Sequence, residues 1–251
     1  MKAEFRHSDA AEAIAALLLK LRARDLVDAE EEAVLRASVA ELHEHPSGRT
    51  IVRAGTTLSS STLLLEGIVC RYKDLADGQR QIMELHVAGD FVDLHGFLLK
   101  QLDHNVGTMT PVRVATFPHD ALRGITETHP HLGRMLWFST LLDAAIHREK
   151  ILSIGRRSAL ARIAHIFCEL AIRLRLVGLG TETGYELPLT QADLADVTGL
   201  TSVHVNRMLK KLRDENLLTF RGGTVAIGDW DRLQRIAEFD PTYLHLERRP
   251  R

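Results

Sequence analysis

The apolar residues of this chain change their period twice. Up to about residue 45 they recur at helical spacing. Ile14, Leu17, Leu18 and Leu21 share one face of a helix that Asp9 would cap and that runs towards Arg22, and Asp28 starts a second, acidic helix through about Leu42. From Pro46 to Pro118 the runs shorten and become β-prone, at 50–53, 62–65, 68–72, 81–87 and 112–117. Between them stand turn residues: Pro46-Ser47-Gly48, Gly55, Gly67, Asp77-Gly78 and Gly89-Asp90. Many short strands with glycine-bearing turns predict a barrel or sandwich.

From about His119 the helical period returns. His129-Pro130 opens a long stretch that has no glycine or proline between Arg134 and Ile154. Leu132, Met135, Leu136, Leu142 and Ile146 fall on one side of it, at the three- and four-residue spacing of a coiled-coil seam that Ser139 and Glu149 interrupt. Two readings are open: a helix packed on its own domain, or a dimer helix whose seam is Leu132, Met135, Leu136, Ser139, Leu142 and Ile146. Gly155-Arg156-Arg157 then breaks the helix, and Ser158 caps a new one with Leu160, Ile163, Ile166, Phe167 and Leu170 as its buried stripe. The segment 177–186 reads as a loop.

The most informative stretch is 187–227. Thr190 is a helix N-cap, and Asp193 completes a variant capping box. Leu194, Ala195 and Val197 face inward, and Gly199 ends the helix where a left-handed conformation is needed. Thr201 caps a second helix whose buried face is Val205, Leu209 and Leu212. The opposite face carries Ser202, His204, Asn206, Arg207, Lys210 and Lys211. Two β-prone runs around Gly222-Gly223 then form a hairpin. Helix, tight turn, helix and hairpin make a winged helix, whose second helix enters the DNA major groove. Arg207 there offers two hydrogen bonds to guanine, and Lys210 and Lys211 suit phosphates. Thr190 and Gln191 open the first helix, where backbone N–H groups favour a phosphate. With Thr201 and with Arg221 on the wing, these residues are the candidate double-stranded DNA contacts.

Charge sharpens this picture locally only. The chain of 251 residues has a net charge of −1, which gives no global hint of nucleic acid. Between Leu200 and Arg221, however, five basic residues face two acidic ones. The hydrophobic share of 45% and charged share of 26% exclude a disordered chain, and no apolar run approaches the ~20 residues that cross a bilayer, so no membrane partner is expected. Two distant cysteines, Cys70 and Cys168, exclude a disulfide framework, a zinc ribbon and a four-cysteine cluster, and point to a reducing cytoplasm. No nucleophile elbow, phosphate loop or metalloprotease helix occurs, so no enzyme is expected.

The ordered pieces resemble the Crp/Fnr family of bacterial transcription regulators: Leu65-Glu66-Gly67-Ile68-Val69, Gly89-Asp90-Phe91, Gly96, the long helix, Arg162-Ile163-Ala164 and the winged helix. The resemblance implies an α+β chain. Residues 1–128 would form N-terminal helices and a cyclic-nucleotide-binding-like β-roll, a jelly-roll effector domain. Residues 129–155 would be a dimerisation helix and 156–251 a winged-helix domain, with its helix-turn-helix at about 190–215 and wing at 217–227. It also implies a homodimer on palindromic operators and contact with RNA polymerase. The family's nucleotide-binding members hold the ribose with a Glu and the cyclic phosphate with an Arg-Ser pair. Counted forward from Gly89-Asp90-Phe91, these positions fall on Leu94 and on His104-Asn105. Neither supplies the charge-assisted partner that a buried phosphate needs, so cyclic AMP is not expected to bind in the usual manner. Leu94, His95, His104 and Asn105 remain the candidate effector pocket. No cofactor is assigned, and an unidentified small-molecule effector stays open.

Haem through one of His43, His45, His86, His95 or His104 is a competing reading, against ordinary histidines; a metal cluster of Asp93, His95 and His104 competes with a polar loop. A constitutive dimer and a protein-interaction adaptor without DNA binding are competing readings too. Well-known family members also carry a Glu at the position of Val203, where it reads a cytosine amine. Valine cannot accept that hydrogen bond but can pack on a thymine methyl, so the operator is expected to differ.

Overall fold

The computed structural model describes residues 13–250. The Asp9 cap expected from the sequence lies outside these residues. The chain divides into two units, one of residues through Tyr72, Leu85–Ala144 and the C-terminal residues from Leu246, the other of Lys73–Glu84 and Ala145–His245.

The first unit opens with two helices, α1 (Ala15–Arg22) and α2 (Ala29–Ala37). Asp28 caps α2 through a reciprocal capping box: its side chain accepts from the Glu31 N–H at 2.8 Å, and Glu31 accepts from the Asp28 N–H at 3.3 Å. The helix ends at Ala37, not at Leu42 as its local pattern suggests. Ala40 N–H donates to the Thr116 carbonyl, and Glu41–His45 becomes strand β1, paired antiparallel with a strand some seventy residues later. A partner so distant in sequence leaves no mark on local helix propensity.

Strands β2 (Thr50–Val52), β3 (Ser60–Glu66), β4 (Val69–Asp74) and β5 (Arg80–His86) follow. After a single helical turn, α3 (Gly96–Leu99), come β6 (Asn105–Thr108) and β7 (Val112–Pro118). They form two sheets, β1-β7-β3 and β2-β6-β4-β5. Val52, Leu64, Val69, Val92, Val106 and Val114, drawn from both sheets and the loop beside them, make one apolar core. This is the β-roll that the short runs predict, with β1 and β6 added. Helix α4 (His119–Thr128) leads into α5 (Pro130–Arg156). A second core gathers Ile14, Leu17, Leu35, Phe117, Leu132 and Met135.

In the second unit α5 continues through Gly155 without a break and stops at Arg156. Ser158 then caps α6 (Ala159–Leu176), its hydroxyl accepting from the Ala161 N–H. Part of the expected loop at 177–186 is a strand, β8 (Gly184–Glu186), which joins a sheet of order β8-β10-β9 with β9 (Leu218–Arg221) and β10 (Thr224–Ile227). Between β8 and β9 lie α7 (Gln191–Thr198) and α8 (Ser202–Asp214), and α9 (Trp230–Ala237) follows the hairpin. Ile163, Phe167, Leu194, Val205, Leu212, Leu217 and Val225 are fully or almost fully buried.

Candidate nucleic-acid interface

The helix-turn-helix forms as its sequence dictates. The Thr190 hydroxyl accepts from the Asp193 N–H at 3.1 Å, and the Asp193 carboxylate accepts from the Thr190 N–H at 2.7 Å. Gly199 takes the left-handed conformation, φ 66°, that reverses the chain between α7 and α8. Thr201 caps α8 by accepting from the His204 N–H at 3.2 Å. Val205, Leu209 and Leu212 then bury one face of α8. Gly222 and Gly223, both at positive φ, close the β9–β10 wing as a two-residue turn.

What stays outside is polar and basic. Ser202, Val203, Asn206, Arg207, Lys210, Lys211 and Arg213 on α8 are exposed, as is Arg221 at the end of β9, while His204 is half-buried. Lys210 forms an i,i+4 ion pair with Asp214. Arg207 and Lys211 have no ion pair among the described residues. Asn206 donates its amide to Gln191 Oε1 at 3.0 Å, so Gln191 of α7 joins the face of α8. The Thr190 and Thr201 hydroxyls are committed to their caps, which leaves Ser202, His204, Asn206, Arg207, Lys210 and Lys211 as the side chains assembled on one helix.

Polar contacts that the sequence does not advertise hold this motif. Arg162 on α6 donates to the carbonyls of Thr198 at 2.8 Å and Ile154 at 2.7 Å. Arg157, buried at the joint after α5, donates to Glu149 at 2.5 Å and to the Glu238 carbonyl at 3.0 Å. Gln81, from the β4–β5 hairpin, donates to the Asp196 carbonyl at 2.9 Å near the end of α7. Arg162 is among the residues that carry the resemblance, but nothing in the sequence marks its two acceptors. Gln81, more than a hundred residues from its acceptor, carries none.

Of the candidate effector residues, Leu94 lines a cavity together with Leu17, Leu21, Phe91, Phe138 and Leu142. Leu94 is buried in the core that contains Phe91 and Phe117. Asn105 accepts from the Ala54 N–H at 3.0 Å, a loop-fixing bond. The rings of His95 and His104 lie 5.3 Å apart, and His104 Nδ1 lies 2.9 Å from the Asp103 carboxylate. Asp93 spends both its oxygens on Thr62, accepting from its N–H at 2.5 Å and its hydroxyl at 2.9 Å, and burial pushes its carboxyl up to about 6. Among the described residues no group of three His, Cys, Asp or Glu side chains is arranged to hold a metal. His86 is buried near Asp90, and His43 lies against Glu41. Both cysteines are buried, and desolvation lifts the Cys168 thiol to about 12.

One buried cation in the roll escaped sequence reasoning. Arg71 on β4 donates to the carbonyls of Val92 at 2.8 Å and Phe91 at 3.4 Å, and to the carboxylate of Asp143 on α5 at 2.8 Å.

The expected dimer seam needs correction. Leu132, Met135, Leu136 and Ile146 are buried within their own chain, and Ser139 Oγ donates to the Met135 carbonyl inside the helix. The three- and four-residue period is real but belongs to the inward face. Leu142 is half-buried. The large apolar side chains that α5 leaves exposed are Trp137, Leu141, Ile151 and Leu152.

Comparison with known proteins agrees with this geometry. The sequence profile of the Crp-like helix-turn-helix domain matches residues 161–236, and that of the cyclic nucleotide-binding domain matches residues 42–129. The transcriptional activatory protein AadR of Rhodopseudomonas palustris is 34% identical over 176 residues, 69% of this chain and 72% of that protein. The transcriptional activator FnrL of Cereibacter sphaeroides is 29% identical over 212 residues, 82% of this chain and 84% of that one. Among solved structures, FixK2 from Bradyrhizobium japonicum superposes with a TM-score of 0.72 at 24% identity, over 79% of this chain and 97% of its own, a likeness of fold. No helix among the described residues is long and apolar enough to cross a membrane.

Proposed function

Because the chain belongs to the Crp/Fnr family of bacterial transcription regulators, we propose that it acts as a homodimer on two-fold symmetric operators, reading each half-site with α8. It is a DNA-binding transcription regulator. The observation that carries the finer reading is the division of α8: Val205, Leu209 and Leu212 anchor it, and Arg207, Lys210 and Lys211 stand exposed on the other side. Arg207 hydrogen-bonds a guanine edge, and the lysines and Arg221 meet phosphates. Two such helices would lie about 34–36 Å apart, one turn of DNA.

The exposed side of α5 supplies the dimer contact. Trp137, Leu141, Arg148 and Ile151 recur four, seven and three residues apart, the period of a two-stranded coiled coil, and the apolar members are exposed. As a transcription regulator the dimer would meet RNA polymerase, in the cytoplasm.

Cyclic AMP in its usual mode does not fit the roll. The counted positions offer the buried Leu94, a histidine beside Asp103, and an asparagine bound to the Ala54 backbone. The buried guanidinium of the roll, Arg71, is held by two carbonyls and Asp143. Regulation through another ligand, or through expression of the protein alone, is the consistent alternative.

The test is a pair of titrations of an operator duplex. Arg207→Ala should lose about 1–3 kcal/mol of binding and relax specificity at one base pair per half-site. Unchanged binding would show that α8 is not the reading helix.

A further inference from the structure

We propose that Val203 reads DNA, by packing its isopropyl group on the methyl of a thymine in each operator half-site. This rests on the DNA-binding reading above and adds a base to it. Val203 is the second residue of α8 and is 81% exposed, the highest value among the exposed large apolar side chains of the described residues. A solitary exposed valine is ordinary on a protein surface. Its setting gives it a partner.

Arg207 lies one helical turn further along on the same face, where residues four apart are neighbours. Ser202 and Asn206 flank the pair, and Lys210, Lys211 and Arg213 continue the exposed surface. An apolar protein partner would have to desolvate this cluster of cations; a polyanion complements it. In the DNA major groove the base edges offer hydrogen-bonding atoms and one apolar group, the C5 methyl of thymine. Double-stranded RNA is a poor alternative, because its major groove is too deep and narrow for side chains and uracil lacks the methyl.

The surrounding hydrogen bonds fit the same arrangement. Val203 accepts nothing, so the acceptor on this face passes to Asn206. Its amide is fixed by donation to Gln191 at 3.0 Å, which leaves Oδ1 as the accepting atom. Arg207, without an ion pair among the described residues, supplies the donors. One helical turn rises about 5.4 Å and one base step about 3.4 Å. The thymine of Val203 and the guanine of Arg207 therefore fall within about two base steps of each other.

The experiment uses the full-length protein. Duplexes bound from a random pool define the half-site. Each recurrent thymine in a synthetic duplex of that sequence is then replaced in turn by deoxyuridine, which removes the methyl and keeps every hydrogen-bonding group. At one thymine per half-site the replacement should weaken wild-type binding about fourfold, the worth of one buried methyl. It should leave the affinity of Val203→Ala unchanged. Equal binding of thymine and deoxyuridine duplexes at every position, or the same loss in Val203→Ala, overturns the assignment while the DNA-binding reading stands. A pool that yields no motif overturns both.

Discussion

The guanidinium of Arg162 donates to the backbone carbonyl of Thr198 at 2.8 Å, the last residue of the first helix of the helix-turn-helix. Its second terminal nitrogen reaches the carbonyl of Ile154, in the last turn of α5. Both acceptors belong to helix C-termini, whose final carbonyls lack intrahelical partners and favour a cation. One side chain on α6 thus fastens the turn before α8 to the end of the long helix. Arg162→Met should destabilise the second unit by about 1.5–3 kcal/mol, the range for hydrogen bonds to a charged group. Urea denaturation checks this, and operator affinity should fall with it. A stability unchanged within about 0.5 kcal/mol would mean that water replaces the arginine at no cost.

Arg71 and Asp143 make the corresponding bond in the first unit. The Arg71 side chain is 2% exposed and that of Asp143 is 20%. Removing one member of a buried pair strands the other, whereas replacing both with apolar groups is often neutral. Arg71→Met should therefore cost about 3 kcal/mol, and Arg71→Met with Asp143→Leu should recover most of it. Chemical denaturation of the two variants gives the comparison. Equal losses in single and double variants would assign the energy to packing rather than to charge.

The winged helix is legible because its instructions are local. Thr190, Asp193, Gly199, Thr201 and the Gly222-Gly223 turn each act within a few residues, and the structure uses each for the stated purpose. The sheets are half legible. β1 reads as helix and β6 leaves no signal, since both depend on partners remote in sequence. The face of α5 is ambiguous in the sequence for another reason. A heptad-like period fits two faces of one long helix, and only the burial of Leu132 and Met135 against the exposure of Trp137 and Leu141 tells them apart. Arg71 and Gln81 are invisible, as are the two acceptors of Arg162, because a polar residue's partner across the fold leaves no periodic trace.

A pH dependence follows from His131 at the start of α5. Its Nδ1 lies 2.5 Å from Glu31 and its Nε2 lies 3.2 Å from Asp25. Burial disfavours its charged form, but hydrogen bonds and attraction from both carboxylates outweigh this and raise its pKa above 6.5. A raised pKa in the folded state adds stability that is fully present below about pH 6.5 and is lost as pH rises through the folded-state value. The first unit should accordingly weaken towards alkaline pH, and His131→Gln should remove that slope. Denaturation curves at several pH values decide it; an identical slope in the variant would place the titration elsewhere.

The two lysines of α8 should differ. Lys210 is paired with Asp214, while Lys211 has no acidic partner among the described residues. Lys211→Ala should weaken binding to all DNA sequences alike and shallow the salt dependence by about one unit of slope. Lys210→Ala should do so less, because Asp214 already offsets part of the Lys210 charge in the wild-type protein. Affinities measured across a range of salt concentrations separate them, and equal slopes for both variants would refute the distinction.

Operator reading by the homodimer is tested most directly by selection of bound duplexes from genomic or random DNA by the purified protein without added effector, sequenced at low and at high salt. A homodimer that reads each half-site with α8 selects a two-fold palindrome with half-site centres one helical turn apart, and its binding falls steeply with salt. Weak binding, equal across sequences at both concentrations, would contradict it.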